Sequence, residues 1–235
     1  MLMQSLPQWS KLITKKRNIK QGAMQQILTG EKRLPGFGGA WEVKKLGEND
    51  ITEIDSDNLN SNTNPNYSFK YISLEDVEQG ILKSYTECTF SSAPSRARRK
   101  VQKNDILFGT VRPNLKSHLF INNNVTDLIC STGFSVIRTN INTVNAEFIF
   151  HHLFANVIER QINTLLSGSN YPAINYHDVK SLQIPIPPLP EQQAIAQILT
   201  DMDTEIESLE QKRNKYKAIK QGMMQELLTG KTRLA

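Results

Sequence analysis

The tightest constraint on how this chain can fold is a segment that occurs twice. Residues 20–34 read KQGAMQQILTGEKRL and residues 220–234 read KQGMMQELLTGKTRL, displaced by 200 positions without a gap and identical at ten of fifteen positions. That spacing excludes a solenoid, whose units recur every ~20–50 residues. Two copies of one element must instead bracket a single large insert, and the fold has to give both brackets and insert a role.

Each copy closes a helical pattern. Before and through the first, Leu6, Trp9, Ile13, Ile19, Ala23 and Ile27 recur at steps of three and four, with one longer gap bridged by the stem of Lys16. Such a stripe predicts an amphipathic helix. Ser5 is placed to cap it, and Gly30 and Pro35 to end it. Ahead of the second copy, Ile195, Leu199, Met202, Ile206, Leu209, Arg213, Tyr216, Ile219, Met223 and Leu227 form a near-heptad seam. A helix over 191–228 is about 57 Å long at ~1.5 Å per residue.

Subtracting 200 places Met202, Ile206, Leu209, Arg213, Ile219 and Leu227 on Leu2, Leu6, Trp9, Ile13, Ile19 and Ile27, so the copies share a seam as well as a motif. Gly22 and Gly222 fall at one point on both helices. Glycine weakens a helix, and a close helix–helix approach there would account for it; an inconsequential surface position is the other reading. The expected pairing set is Trp9, Ile13, Gly22 and Ile27 with Leu199, Met202, Ile206, Leu209, Tyr216, Gly222, Met223 and Leu227.

The insert has a different texture. Pro35-Gly36-Phe37-Gly38-Gly39 breaks the helical pattern, and Ile186-Pro187-Pro188-Leu189-Pro190 forms a stiff linker at the far end. Strand-like stretches lie at 69–73, 105–111, 118–121 and 134–138. Residues 146–165 predict one buried helix, and 174–184 a short helix or turn followed by a strand. The fold class is α+β: one globular mixed α/β domain over 35–190, flanked by two long coiled-coil-forming helices at 1–34 and 191–235.

Charge is local. The net +5 is near balance over 35–190, with fourteen Lys/Arg against fifteen acids, yet residues 90–116 hold Arg96, Arg98, Arg99, Lys100, Lys103, Arg112 and Lys116 against Asp105 alone. A patch of this kind suits an anionic partner; a solvated charged loop is the bland counterpart. Two cysteines 42 residues apart read as reduced thiols. Neither a secretory signal nor an apolar run of about 18 residues is present, so the expected setting is cytoplasmic, with no membrane partner.

The chemistry of catalysis does not assemble. Gly230-Lys231-Thr232 lacks the upstream glycine of a phosphate-binding loop, since that position is Gln225. The single Asp-x-Lys at Asp178–Lys180 has no partner acid, and His151-His152 lies in an apolar stretch with no matching carboxylate. No catalytic residue, metal site or bound cofactor is expected.

At Leu189-Pro190-Glu191-Gln192-Gln193-Ala194-Ile195-Ala196, followed by Leu199, Asp203 and Ile206 on a long helix, the chain resembles the conserved region of type I restriction–modification specificity subunits. The run Asp105–Lys116 (DILFGTVRPNLK), the STGFSV of 131–136, the stretch 167–175 before Asp178-Val179 and the closing 220–230 motif resemble that family too. The resemblance implies that the central domain is a target-recognition domain reading half of a bipartite DNA sequence. It further implies that the helices act as a spacer and as the docking surface for a modification subunit. That adenine-N6 methyltransferase would hold S-adenosylmethionine and perform catalysis, and a restriction subunit is a further candidate partner.

Typical members carry two recognition domains and two conserved regions; this chain carries one domain between two helical regions. Two chains pairing their helices as a homodimer would restore the full arrangement and read identical half-sites in opposite orientation. The alternatives are a fragment working with another specificity polypeptide and a monomer whose helices pack on each other. DNA contacts are expected from Arg96, Arg98, Arg99, Lys100, Arg112, Asn114 and Lys116, with Ser169, Asn170 and Tyr171 as a second loop. Most of these would meet phosphate. The rival function is a helical scaffold whose insert binds protein and does not read DNA.

Overall fold

Hydrophobic periodicity changes from helical to alternating and back along the chain, and the elements follow it. The computed structural model describes residues 6–122, 126–166 and 172–229. Helix α1 (Leu6–Ile27) leads into strands β1 (Glu42–Lys45), β2 (Thr52–Ile54), β3 (Ser68–Ile72), β4 (Val77–Glu78), β5 (Ile81–Leu82) and β6 (Thr86–Thr89). Strands β7 (Ala97–Val101), β8 (Ile106–Gly109), β9 (Leu119–Phe120), β10 (Leu128–Ser131) and β11 (Phe134–Thr139) follow. Helices α2 (Ala146–His152), α3 (Asn156–Leu166) and α4 (Tyr176–Ser181), strand β12 (Gln183–Ile186) and helix α5 (Leu189–Leu228) complete the chain. No helix among the described residues is long and apolar enough to cross a membrane.

The contacts divide the chain into two compact units, Ile27–Ala196 and Met1–Gln26 with Gln197–Ala235. In the first, one four-stranded sheet runs β6-β3-β10-β7 and another β2-β11-β8-β9. All pairs are antiparallel except β10 with β3. Period-two alternation explains the layering. Leu128 and Cys130 of β10 join Ile72, Val101, Leu107, Leu119, Phe134 and Val136 in a core drawn from both sheets. Ile129, pointing the other way, packs with Leu59, Phe69, Tyr71 and Ala97. The stretch LICS is thus covered on both faces, which is why it reads as a continuous apolar run.

One expectation needs correction in this unit, and two readings left open are resolved. Residues 146–165 form two helices, because the chain tightens through Phe154 N–H to His151 O and Ala155 N–H to His152 O bonds at the junction. Leu153 and Ala155 are buried there, so packing on both sides outweighs helix continuation. The basic stretch from Ala97 is a strand, not a solvated loop, with a bulge opposite Cys130 and Ser131. The histidine pair is core: His152 is fully buried with Nε2 donating to Leu28 O at 2.9 Å, and burial lowers its pKa to about 4.

The Pro-Glu-Gln signature has a structural explanation. Glu191 is 1% exposed and takes both Arg33 Nε (2.7 Å) and Nη2 (2.6 Å), while Trp41 Nε1 donates at 3.2 Å. Gln192 donates to Pro187 O (2.8 Å) and Thr143 O (3.1 Å) and accepts from Asn145 N–H (2.9 Å). Buried polar groups persist only when so satisfied. The ring of Trp41 covers Gly30, whose φ of +75° and crowded Cβ direction favour glycine at the end of the first repeat copy. Strand β1 then pairs antiparallel with β12, closing the two ends of the insert on each other.

In the other unit, α1 runs antiparallel to α5. Trp9 stacks on Tyr216 with ring centroids 6.2 Å apart. Ion pairs join Lys16 to Glu205 (2.7 Å), Arg17 to Glu210 (2.5 Å) and Lys20 to Asp203 (2.5 Å). Ile13, Met24, Leu199 and Ile206 are buried, and Met202 and Leu209 half-buried. Ile27, which the other unit contains, is buried as well. The seam differs from the expected one at Ile19, which is 47% exposed; Lys16 and Lys20 take its place, since their aliphatic stems cover the neighbouring helix while their ammonium groups reach its acids. A close approach at the paired glycines is not found: a Cβ added to Gly22 or Gly222 would meet nothing within 4 Å. Tyr216, Met223 and Leu227 are exposed.

Candidate nucleic-acid interface

The turn after β8 is built around two close approaches. A Cβ at Gly109 would fall 2.7 Å from Ser117 O, and one at Gly133 2.6 Å from a Leu74 methyl. The glycine of the DILFGT motif is therefore a packing requirement against backbone, whereas that of STGF meets the end of a leucine side chain. Thr110 ties the two turns, donating its hydroxyl to Gly133 O at 2.8 Å. The aspartate of the first motif is structural too: Asp105, 1% exposed, receives Arg138 Nε at 2.9 Å and Nη2 at 2.8 Å. His118 completes the support, fully buried and stacked on Phe108 at 4.3 Å, with Nδ1 accepting from Gly109 N–H. Desolvation pushes its pKa down to about 3, so it is neutral at ordinary pH.

On this base the chain turns through a single 3₁₀ turn, Pro113–Leu115, flanked by two left-handed residues, Arg112 (φ 49°) and Lys116 (φ 54°). Non-glycine residues in that region cost on the order of 1 kcal/mol each and persist where surrounding structure holds them. Here Arg112 N–H donates to Pro172 O at 2.7 Å and Ile174 N–H to Thr110 O at 3.0 Å, fastening the segment to the strand-like pair Val111 and Ala173. The turn presents Arg112, Asn114 and Leu115 to solvent, Leu115 being 61% exposed.

These side chains line an open groove of about 570 Å³ whose other walls are Leu74, Glu75, Val77, Glu78, Gln79, Lys83, Arg96, Val111 and Ser117. Arg96 is held at the rim through its carbonyl, which accepts from Thr132 N–H at 2.9 Å. The β4–β5 hairpin supplies the opposite rim, turning at Gln79 and Gly80 with φ of 45° and 91°. Neither Arg96 nor Arg112 forms an ion pair among the described residues. Lys83 pairs with Glu78 at the surface, both more than half exposed, a contact worth little and easily exchanged. Guanidinium and amide groups beside exposed carboxylates match the donor and acceptor edges of base pairs as well as phosphate.

The expected contact residues therefore separate. Arg96, Arg112 and Asn114 converge on the groove. Arg98, Arg99 and Lys100 on β7 are engaged elsewhere: Arg98 lies over the Phe90 ring at 4.8 Å and donates to Ala97 O. Arg99 is paired with Asp55 at 2.5 Å, the two side chains 17% and 8% exposed, and Lys100 with Asp57 at 3.1 Å. Burial pushes the Asp55 carboxyl up, against the pull of Val136 N–H and Arg99. Lys116 reaches Glu159 at 2.9 Å. Ser169, Asn170 and Tyr171 lie outside the described residues; Pro172, next along the chain, is the residue bonded to Arg112.

Lys83, Glu75, Glu78 and Gln79 did not stand out in the sequence. The Gln-Gly pair between Val77-Glu78 and Ile81-Leu82 was the available signal, a short hairpin turn with apolar flanks. No group of His, Cys, Asp and Glu able to hold a metal ion occurs among the described residues. Cys88 and Cys130 are free, and burial raises both thiols, so neither is an activated nucleophile.

Residues 39–218 match the family described as the type I restriction modification DNA specificity domain. The chain is 31% identical over 172 residues to the type I restriction enzyme HindI specificity subunit of Haemophilus influenzae, a match covering 71% of this chain and 36% of that protein. Over 91 residues it is 31% identical to the type I restriction enzyme MjaVIII specificity subunit of Methanocaldococcus jannaschii, covering 39% of this chain and 21% of the relative. It superposes on the HsdS subunit from Thermoanaerobacter tengcongensis with a TM-score of 0.66 at 30% identity, over 83% of this chain and 50% of that one. The type-I restriction-modification S subunit from M. genitalium shares the fold, with a TM-score of 0.61 at 14% identity over 92% of this chain and 55% of that one. The chain spans about a third of the length of the HindI subunit and half of the solved HsdS chain.

Proposed function

The chain belongs to the type I restriction–modification DNA specificity family, and from that premise we propose that it is a non-catalytic DNA-recognition subunit reading one half-site of a bipartite duplex target. The observation that carries this reading is the groove itself: Arg96, from the segment before β7, meets Arg112 and Asn114, from the turn after β8, in one cleft whose strained turn is fixed from behind. Arg112 is the candidate for a bidentate contact to guanine, Asn114 for one to adenine, and Glu75 for accepting from an exocyclic amine. Arg96 and Lys83, at the rim, suit phosphate.

The long helices dock the methyltransferase subunit, which binds S-adenosylmethionine and methylates adenine, and a restriction subunit joins the same assembly. Two copies pairing through their helices set two identical readers in opposite orientation, matching a two-fold-symmetric target. The test is duplex binding by the chain with its methyltransferase subunit over a series of salt concentrations. Binding should be sequence-selective, and log K should fall linearly with log salt, each phosphate contact adding about 0.9 to the slope. Equal affinity for a scrambled duplex at moderate salt would sink the reading.

A further inference from the structure

The wall of the groove opposite Arg112 is a hairpin of unusual sequence. Strands β4 and β5 pair Val77 with Leu82 and Glu78 with Ile81, leaving a loop of two residues, Gln79 and Gly80. Both have positive φ, 45° and 91°. A two-residue loop of this kind is a type I′ turn, whose twist matches that of the strands and whose first place suits asparagine, aspartate or glycine. Gln79 holds a left-handed conformation there at a cost that the turn itself does not require. The hairpin is fixed at both ends. At its root Asp76 accepts from Ser73 N–H at 2.8 Å and from the Ser84 hydroxyl, and Val77 is buried in the core between the sheets. At its tip Gly80 N–H donates to His118 O at 2.9 Å. The ring of His118 also accepts from Gly109 N–H beneath the Arg112 turn, so one residue ties both walls together.

We propose that Gln79 reads a base: its side-chain amide meets N6 and N7 of an adenine in the major groove of the duplex, from the wall opposite Arg112 and Asn114. A major groove about 12 Å wide admits a two-stranded ribbon, and a glutamine amide offers the donor and acceptor that this edge of adenine takes in a bidentate pair. Gln79 is exposed and lines the groove, and its side chain makes no hydrogen bond among the described residues. Strain of this kind persists at binding sites where the surrounding structure holds it, as the two anchors of the hairpin do here. Asparagine, the better turn former, is one methylene shorter. Glutamine at this place therefore gives up turn stability and gains reach into the groove.

This inference rests on the DNA-recognition reading above and adds a second reading element to it. The test uses the chain bound to its methyltransferase subunit and the half-site enriched from a random duplex pool. Each adenine of that site is replaced in turn by 7-deazaadenine, which lacks the N7 acceptor but still pairs with thymine. Wild-type binding should weaken about tenfold at one adenine that Asn114→Ala leaves unaffected. Gln79→Ala should weaken binding to the unmodified site by a similar factor and show no further loss at that adenine, with the losses at other positions unchanged. Gln79→Asn should lose the same preference while its urea denaturation midpoint stays at or above that of the wild type. A wild-type chain without sequence selectivity would overturn the proposed function and this role with it. Selective binding in which no adenine is coupled to Gln79 would overturn this role alone, and so would a Gln79→Asn chain less stable than the wild type, since glutamine would then serve the fold.

Discussion

Two clusters of cations come from one basic stretch and meet opposite fates. Arg98, Arg99 and Lys100 lie on β7, an edge strand of one sheet, where an aromatic ring, Asp55 and Asp57 occupy them. Arg96 precedes that strand and Arg112 follows β8, both exposed on one groove and in no ion pair among the described residues. A count of positive charge treats the clusters alike. The difference lies in what each guanidinium faces: Arg99 is held against the nearly buried Asp55, whereas Arg96 and Arg112 face the groove.

The largest expected effect breaks the first cluster. Arg99→Ala leaves the nearly buried Asp55 without its partner and should cost about 3 kcal/mol of stability in urea denaturation. DNA affinity of the fraction that remains folded should hardly change; a protein of wild-type stability would move Arg99 from the packing side to the binding side. The converse substitution, Arg96→Ala with Arg112→Ala, should leave the denaturation midpoint within error. It should weaken duplex binding by about 2 kcal/mol, some thirtyfold, and lower the salt slope by roughly 1 to 2. Equal losses of stability and affinity would erase the distinction.

Acid should strike the packing side first. His152 and His118 titrate at about 4 and about 3 in the folded chain, against an ordinary 6.5. Below pH 6.5 the unfolded chain takes up protons that the folded one cannot, so stability falls as pH falls, towards those folded values. The loss is on the order of 1 kcal/mol per histidine per pH unit. Denaturation midpoints at pH 7, 6 and 5 check it, and a flat profile would mean that these rings are not sealed. The smallest effect is Lys100→Ala: its pair with Asp57 is 43% and 37% exposed, and a change under about 1 kcal/mol in stability is expected.

The long C-terminal helix, the helical stripe of α1 and several of the strands were legible because apolar periodicity is local. The occupancy of the basic residues was not. Asp55, Asp57 and Glu159 lie about 43 residues or more from Arg99, Lys100 and Lys116, and no local pattern announces such pairs. Ile19 misled for a related reason: an apolar residue looks like seam, yet Lys16, one turn back, and Lys20, next along the chain, lie against the neighbouring helix and add ion pairs. The paired glycines looked like a contact and stand in open space. Glu191 and Gln192 were recognisable as a motif, but their role as satisfied buried anchors depends on Arg33, Trp41 and Thr143, distant in sequence.

We propose that the Arg96–Arg112 groove, and not the β7 cluster, reads DNA. Enrichment of a random-sequence duplex pool on the chain bound to its methyltransferase subunit tests it most directly. A half-site motif is expected for the wild type, kept by Arg98→Ala and lost or relaxed by Arg96→Ala with Arg112→Ala. A motif unchanged in the groove variant, or lost only when β7 is altered, would contradict it.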